Sequence, residues 1–215
     1  LPAPTEAFAG VAADRSGAGR DTIAKGNVIL VADSRSTVAY FASRGRLQFF
    51  GSTWWDDSAP KSAMSVLAWV RVEPSTMASL QEQRLPLGAG EFVRDGLPNV
   101  LEAPFEEPVS LCPYTTPNGA LAWSLHDENQ AVIFTLSAPL TVGEWIHIAG
   151  TYDATEGAAK LYLNGEEVSG GQGVSELGVY AGPAGVVTLD PGGLLSSWIM
   201  DDLNVWRGAL SGDEV

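Results

Sequence analysis

Trp145-Ile-His-Ile-Ala-Gly-Thr-Tyr152, with Lys160-Leu-Tyr-Leu-Asn-Gly165 and Glu166-Glu-Val168 after it, decides the fold. The first run alternates. It sets Ile146, Ile148 and Tyr152 on one face and Trp145, His147 and Thr151 on the other, which is the period of a strand. Asp153-Ala-Thr-Glu-Gly157 is turn chemistry, and residues 160–163 resume the alternation. Asn164-Gly165 supplies the positive φ values of a tight type I′ turn, so the stretch is predicted to form three antiparallel strands.

Outward from there, short β-branched or aromatic runs predict strands at 28–31, 38–41, 47–50, 64–72, 120–125, 131–136, 186–189 and 199–206. Glycine, serine and acidic residues separate them. Residues 64–72 are apolar on both faces, as a strand inside a two-layer core would be. Trp69, Trp123, Trp145 and Trp206 lie in such apolar strands and are expected in the core. Residues 74–84 admit either a strand or a short helix capped by Ser75, whereas 85–117 are proline-rich and read as one long loop. Ser211-Gly-Asp-Glu214 has the spacing of a capping box and predicts a final turn. About twelve short strands with few helices make an all-β, two-sheet antiparallel jelly-roll sandwich, and 215 residues suit one such domain.

The net charge is −14, from 26 acids against 12 bases, with Lys25, Lys61 and Lys160 the only lysines. Such a surface repels nucleic acid and anionic membranes and fits a saline or extracellular medium. Cys112 is the single cysteine, so no intrachain disulfide is expected. No apolar run is long enough to cross a membrane as a helix. The abrupt start at Leu1-Pro-Ala-Pro4 and stop at Asp213-Glu-Val215 read as an excised domain or mature fragment, and a monomeric module is expected.

The quoted stretch, with Met64-Ser-Val-Leu-Ala-Trp-Val70 before it and Ile199-Met-Asp-Asp-Leu-Asn-Val-Trp206 after it, resembles laminin-G-like domains of the concanavalin A-like lectin/glucanase superfamily. The resemblance spans most of residues 47–72 and 120–215 and does not reach 77–117. It implies the same jelly-roll sandwich, favours a strand at 74–84, and implies a secreted or cell-surface setting.

Two groups of residues carry candidate chemistry. Alternation along 199–205 places Asp201 in one row with Ile199, Leu203 and Val205. A carboxylate there needs a cation or dense hydrogen bonding, unless it lies at the rim, while Asp202 is free to face solvent. Calcium suits oxygen-rich loops, and the resemblance implies a calcium site of Asp14, Ser16 and Asp201 or Asp202, with Asp21, Asp56 and Asp57 as further candidates. The second group is Trp54-Trp55-Asp56-Asp57, which joins indoles that can stack on sugar rings to carboxylates that can bind hydroxyls; Tyr114 and Trp198 are secondary contacts. The competing reading has one of the paired tryptophans in the core and the other capping a sheet edge.

Catalysis is not expected. No E-x-D-x-E row sets paired carboxylates on a strand, and neither His126 nor His147 has a serine or cysteine partner. The expected function is a non-catalytic, extracellular carbohydrate-binding module, calcium-dependent or calcium-stabilised, with a glycan or polysaccharide as partner. The alternative is a spacer or protein-interaction module that contacts a cell-surface protein.

Overall fold

The computed structural model describes residues 11–13, 15, 22–25, 28–41, 46–49, 62–72, 114–115, 120–127, 131–173, 187–189 and 198–215. They form fourteen strands and no helix: β1 Val11–Ala12, β2 Thr22–Lys25, β3 Val28–Ala32, β4 Thr37–Phe41, β5 Arg46–Phe49, β6 Ala63–Val72, β7 Tyr114–Thr115, β8 Ala120–His126, β9 Val132–Pro139, β10 Ile146–Asp153, β11 Ala158–Leu163, β12 Glu166–Gln172, β13 Val187–Leu189 and β14 Trp198–Trp206. The expected Asp14–Asp21 loop apart from Arg15, the 54–57 cluster, the 74–84 element, Cys112 and most of the 85–117 loop lie outside the described residues.

All pairings are antiparallel. A seven-stranded sheet runs β12-β11-β10-β6-β14-β4-β3, a three-stranded sheet runs β7-β8-β9, and a third sheet runs β1-β2-β5-β13. The all-β sandwich expected from the sequence is the fold observed. Asn164 and Gly165 take φ 51° and 83°, so the turn between β11 and β12 is the one their chemistry demands. The preceding turn is held by the Asp153 carboxylate, which accepts the Thr155 amide at 2.8 Å.

Alternation sorts each strand of the large sheet into an inner and an outer row. Met64, Val66, Ala68, Val70 and Val72 of β6 and Ile146, Ile148 and Tyr152 of β10 face inward. They pack against Leu121, Trp123 and Leu125 of β8 and Phe134, Leu136 and Ala138 of β9. Trp123 is fully buried and lies flat on the backbone of Gly150, where an added Cβ would meet ring atoms at 2.7 Å. Only glycine allows that approach. Each large apolar side chain so buried contributes about 1.5–3 kcal/mol, and this layer dominates the fold's stability.

On the outer face, the C-terminal residues cover one end of the sheet. Leu210 and Val215 pack on Leu67, Ala149 and Tyr162. The buried Ser65 hydroxyl donates to the Gly208 carbonyl at 2.7 Å and accepts from the Leu210 amide at 2.8 Å. The predicted capping box closes this segment: Glu214 accepts from the Ser211 amide at 2.9 Å and the Ser211 hydroxyl at 2.7 Å.

Two expectations are corrected here. The row along β14 breaks, because its ladder with β6 slips between Asp201 and Asn204 and Asp202 takes φ 49°. Met200, Leu203 and Val205 therefore pack on the inner core, whereas Ile199 packs in an outer cluster and Asp201 pairs across from Trp69. Of the four tryptophans expected in the core, only Trp123 is there. Trp69 and Trp145 are half-buried on the outer face, and Trp206 is 53% exposed.

Candidate functional site

The outer face is organised by the hairpin of β3 and β4. β4 pairs with β14 only through Phe41, Tyr40 and Ala39, and the hairpin leaves the sheet beyond that point. Its tip, Asp33-Ser-Arg-Ser36, is closed by the Asp33 amide donating to the Ser36 carbonyl at 2.8 Å. Strands β3 and β10 stand four positions apart in the sheet, about 19 Å at ordinary spacing. Yet the Trp145 indole N–H, one residue ahead of β10, donates to Asp33 Oδ1 at 2.8 Å. An indole and a carboxylate cannot bridge that span side by side, so the tip lies across the sheet. Val31 and Val38 are buried beneath it against Ile199.

The tip sets a charged and aromatic cluster on this face. Asp33 Oδ2 accepts from Arg71 Nη1 at 2.9 Å, and Oδ1 also accepts from the Ser34 amide and hydroxyl. Burial pushes the Asp33 carboxyl up. The hydrogen bonds from Trp145 and Ser34 and the charge of Arg71 outweigh burial and bring it to about 2. Arg35 extends over the face, its guanidinium carbon 3.9 Å from the Trp69 ring centre and 5.6 Å from that of Trp145. His147 packs on the other side of this group, its ring 5.1 Å from Trp69. Burial, and then the Arg35 charge, hold the imidazole below its ordinary value, so it is neutral at physiological pH.

The sequence left open a cation, dense hydrogen bonding or a place at the rim for Asp201, and in the structure it has a cation, which is a side chain. Arg35 Nε lies 3.4 Å from Asp201 Oδ2 and Arg35 Nη2 lies 3.4 Å from Asp202 Oδ2. Ser36 Oγ and the Asp202 amide complete the partners of Asp201 at 3.4 and 3.1 Å. Asp202 is open to solvent, as expected, with 65% of its side chain exposed.

These two carboxylates are thus engaged by a guanidinium. Among the described residues no three His, Cys, Asp or Glu side chains converge as metal ligands. Asp14 and Ser16 lie outside the described residues, as do Trp54, Trp55, Asp56 and Asp57. Tyr114 and Trp198 are placed by backbone alone, in β7 and at the start of β14, beside β8 and β6 respectively.

The structure brings together residues that sequence reasoning assigned elsewhere. Trp69 shares the outward row of β6 with Ser65 and Arg71, and Trp145 shares a face with His147 and Thr151. Polar company on the same face was the available signal. Further along β14, Asn204 is exposed, its amide donating to the Asp202 carbonyl at 2.7 Å, and the exposed Trp206 follows on the same outward row. An open indole can stack on one face of a ring, and an exposed amide on the same row can bind its hydroxyls.

Comparisons with known proteins agree with this architecture. No curated protein matches the chain in sequence. The binding domain of botulinum neurotoxin serotype D superimposes with a TM-score of 0.68 at 16% identity, over 94% of this chain and 46% of that one. The binding domain of Paraclostridial Mosquitocidal Protein 1 gives 0.68 at 17% identity, over 94% and 47%. The serotype D ligand binding domain in complex with N-acetylneuraminic acid gives 0.66 at 15%, over 94% and 46%. The chain therefore spans about half the length of these solved relatives and shares their jelly-roll fold. A laminin-G family model matches residues 51–215, and by that match the chain belongs to the Concanavalin A-like lectin/glucanases superfamily.

Proposed function

We propose that this chain is a non-catalytic carbohydrate-binding module, one domain of an extracellular or cell-surface protein. Trp206 carries the reading. A large indole left 53% exposed at the end of a sheet strand, with the exposed Asn204 two residues before it on the same row, offers a ring face for stacking and an amide for hydroxyls. The 54–57 cluster, with Tyr114 and Trp198, would add the same stacking and hydroxyl-binding chemistry. A structural neighbour solved with N-acetylneuraminic acid supports a sugar as the ligand class.

Asp33 is committed to Trp145, Ser34 and Arg71, so its carboxylate holds the hairpin tip. Calcium belongs to the proposal through Asp14, Ser16 and Asp201 or Asp202. A polysaccharide-binding screen with and without calcium tests the reading. Reproducible retention on at least one glycan supports it, and retention on none overturns it. A second reading, a protein-interaction module, is favoured by the arginine-filled cage under the hairpin tip.

A further inference from the structure

The tip is held unevenly. Asp33 is clamped by Trp145, Arg71 and Ser34 at 2.7 to 2.9 Å. Two residues on, Arg35 makes both of its ion pairs at 3.4 Å and keeps 26% of its side chain exposed. Those contacts lie at the outer limit of hydrogen bonding and are weak. The guanidinium is nevertheless stacked on Trp69, flanked by Trp145, and rimmed by Asp201 and Asp202.

Indole faces with carboxylates at their edge suit a planar, delocalised cation. The faces attract its charge, and the carboxylates accept its in-plane N–H groups. A compact ammonium would keep the charge pairing and lose the stacking. When Arg35 leaves, Asp33 stays paired with Arg71, and Asp201 and Asp202 are left to attract another cation.

We propose that Trp69, Trp145 and Asp201 form a docking site for an arginine side chain of a partner protein's basic segment, with Arg35 as its resident internal occupant. The partner's guanidinium takes the position over Trp69 as Arg35 swings out to solvent. Asp33 keeps the hairpin anchored meanwhile, so docking requires one side chain to move and not the whole tip. The site stands apart from the sugar-binding reading, which rests on Trp206.

The probe is N-acetyl-arginine amide, followed by the indole N–H signals of Trp69 and Trp145 in NMR titrations. If Arg35 fills the cage nine-tenths of the time, removing it strengthens probe binding about 10-fold. R35Q, which keeps a polar side chain but is shorter and lacks the guanidinium, should show saturable shifts at correspondingly lower probe concentration than the parent chain. N-acetyl-lysine amide should bind more weakly, and R35Q combined with D201N should lose the response. In the parent chain, saturating arginine probe should shift the Arg35 side-chain Nε–H signal towards its solvent-exposed position while leaving the Asp33 amide signal in place. The proposal is overturned if folded R35Q binds the probe no better than the parent, if D201N makes no difference, or if the Arg35 Nε–H signal of the parent is unchanged by the probe. W206A should leave all these responses intact, so failure here and failure of the sugar reading are distinguishable.

Discussion

Replacing Asp33 by asparagine tests whether the tip is clamped across the sheet as described. The substitution keeps the shape and removes the charge. The asparagine side chain would offer one carbonyl oxygen where the carboxylate serves Trp145 and Ser34 on Oδ1 and Arg71 on Oδ2. Its amide N–H₂ must then face either the indole N–H or the guanidinium, donor against donor, and Arg71 keeps a half-buried charge without its carboxylate. The fall from the ordinary 3.8 to about 2 is worth about 2 kcal/mol at 1.36 kcal/mol per unit. Solvent at the tip trims this to roughly 1–2 kcal/mol, and the opposed donors restore part of it. D33N should therefore lose about 2 kcal/mol at pH 7, or about 4–8 °C in Tm for a chain of this size.

The pH dependence is specific to this carboxylate. Its folded value lies below its unfolded value, so its contribution is full above the unfolded 3.8 and is lost as pH falls through the folded value near 2. Urea unfolding of both proteins from pH 7 downward should show a gap that is constant to about pH 4 and then narrows. A gap under about 0.5 kcal/mol at pH 7, or one that does not narrow in acid, would refute the clamp.

Three further outcomes are expected. Gly150→Ala drives a methyl into the Trp123 ring plane, and with β6 and β11 on either side the strand cannot retreat; it should cost about 1–3 kcal/mol or more in urea unfolding. His147 should titrate in NMR below the ordinary imidazole value, and R35Q should move it upward by removing one of the two causes. Because its folded value is depressed, the neutral ring supports the fold above the ordinary value, and that support fades as pH falls through the folded one. Adding calcium to chelator-treated protein should raise Tm if Asp14 and Ser16 hold an ion; an unchanged Tm removes calcium from the proposal.

The sheet layout was legible because its signals are local. Alternation through 145–152 and the Asn164-Gly165 turn decide β10, β11 and β12 with no knowledge of the remaining chain. The outer face was not, for two physical reasons. Alternation sorts side chains into two faces without saying which is covered, so Trp69 and Trp145 looked like core although Arg71 and His147 shared their rows. A bulge is also invisible to a period: the slip at Asp201–Asn204 moved Leu203 and Val205 inward and left Asp201 outward. That the Asp201 carboxylate wanted a cation, dense hydrogen bonding or a place at the rim was readable in the sequence. That Arg35 would supply the cation was not, because the pairing spans 166 residues and depends on a hairpin folding over the sheet.

The central claim, a sugar held by an exposed indole on β14, is tested most directly by calorimetric titration of the best-retained glycan into the parent chain and W206A. The account predicts measurable binding to the parent and affinity lowered about tenfold or more in W206A, at an unchanged Tm, since stacking on one indole is worth about 1.4 kcal/mol. Equal affinity in the two proteins, or no binding to the parent, would contradict it.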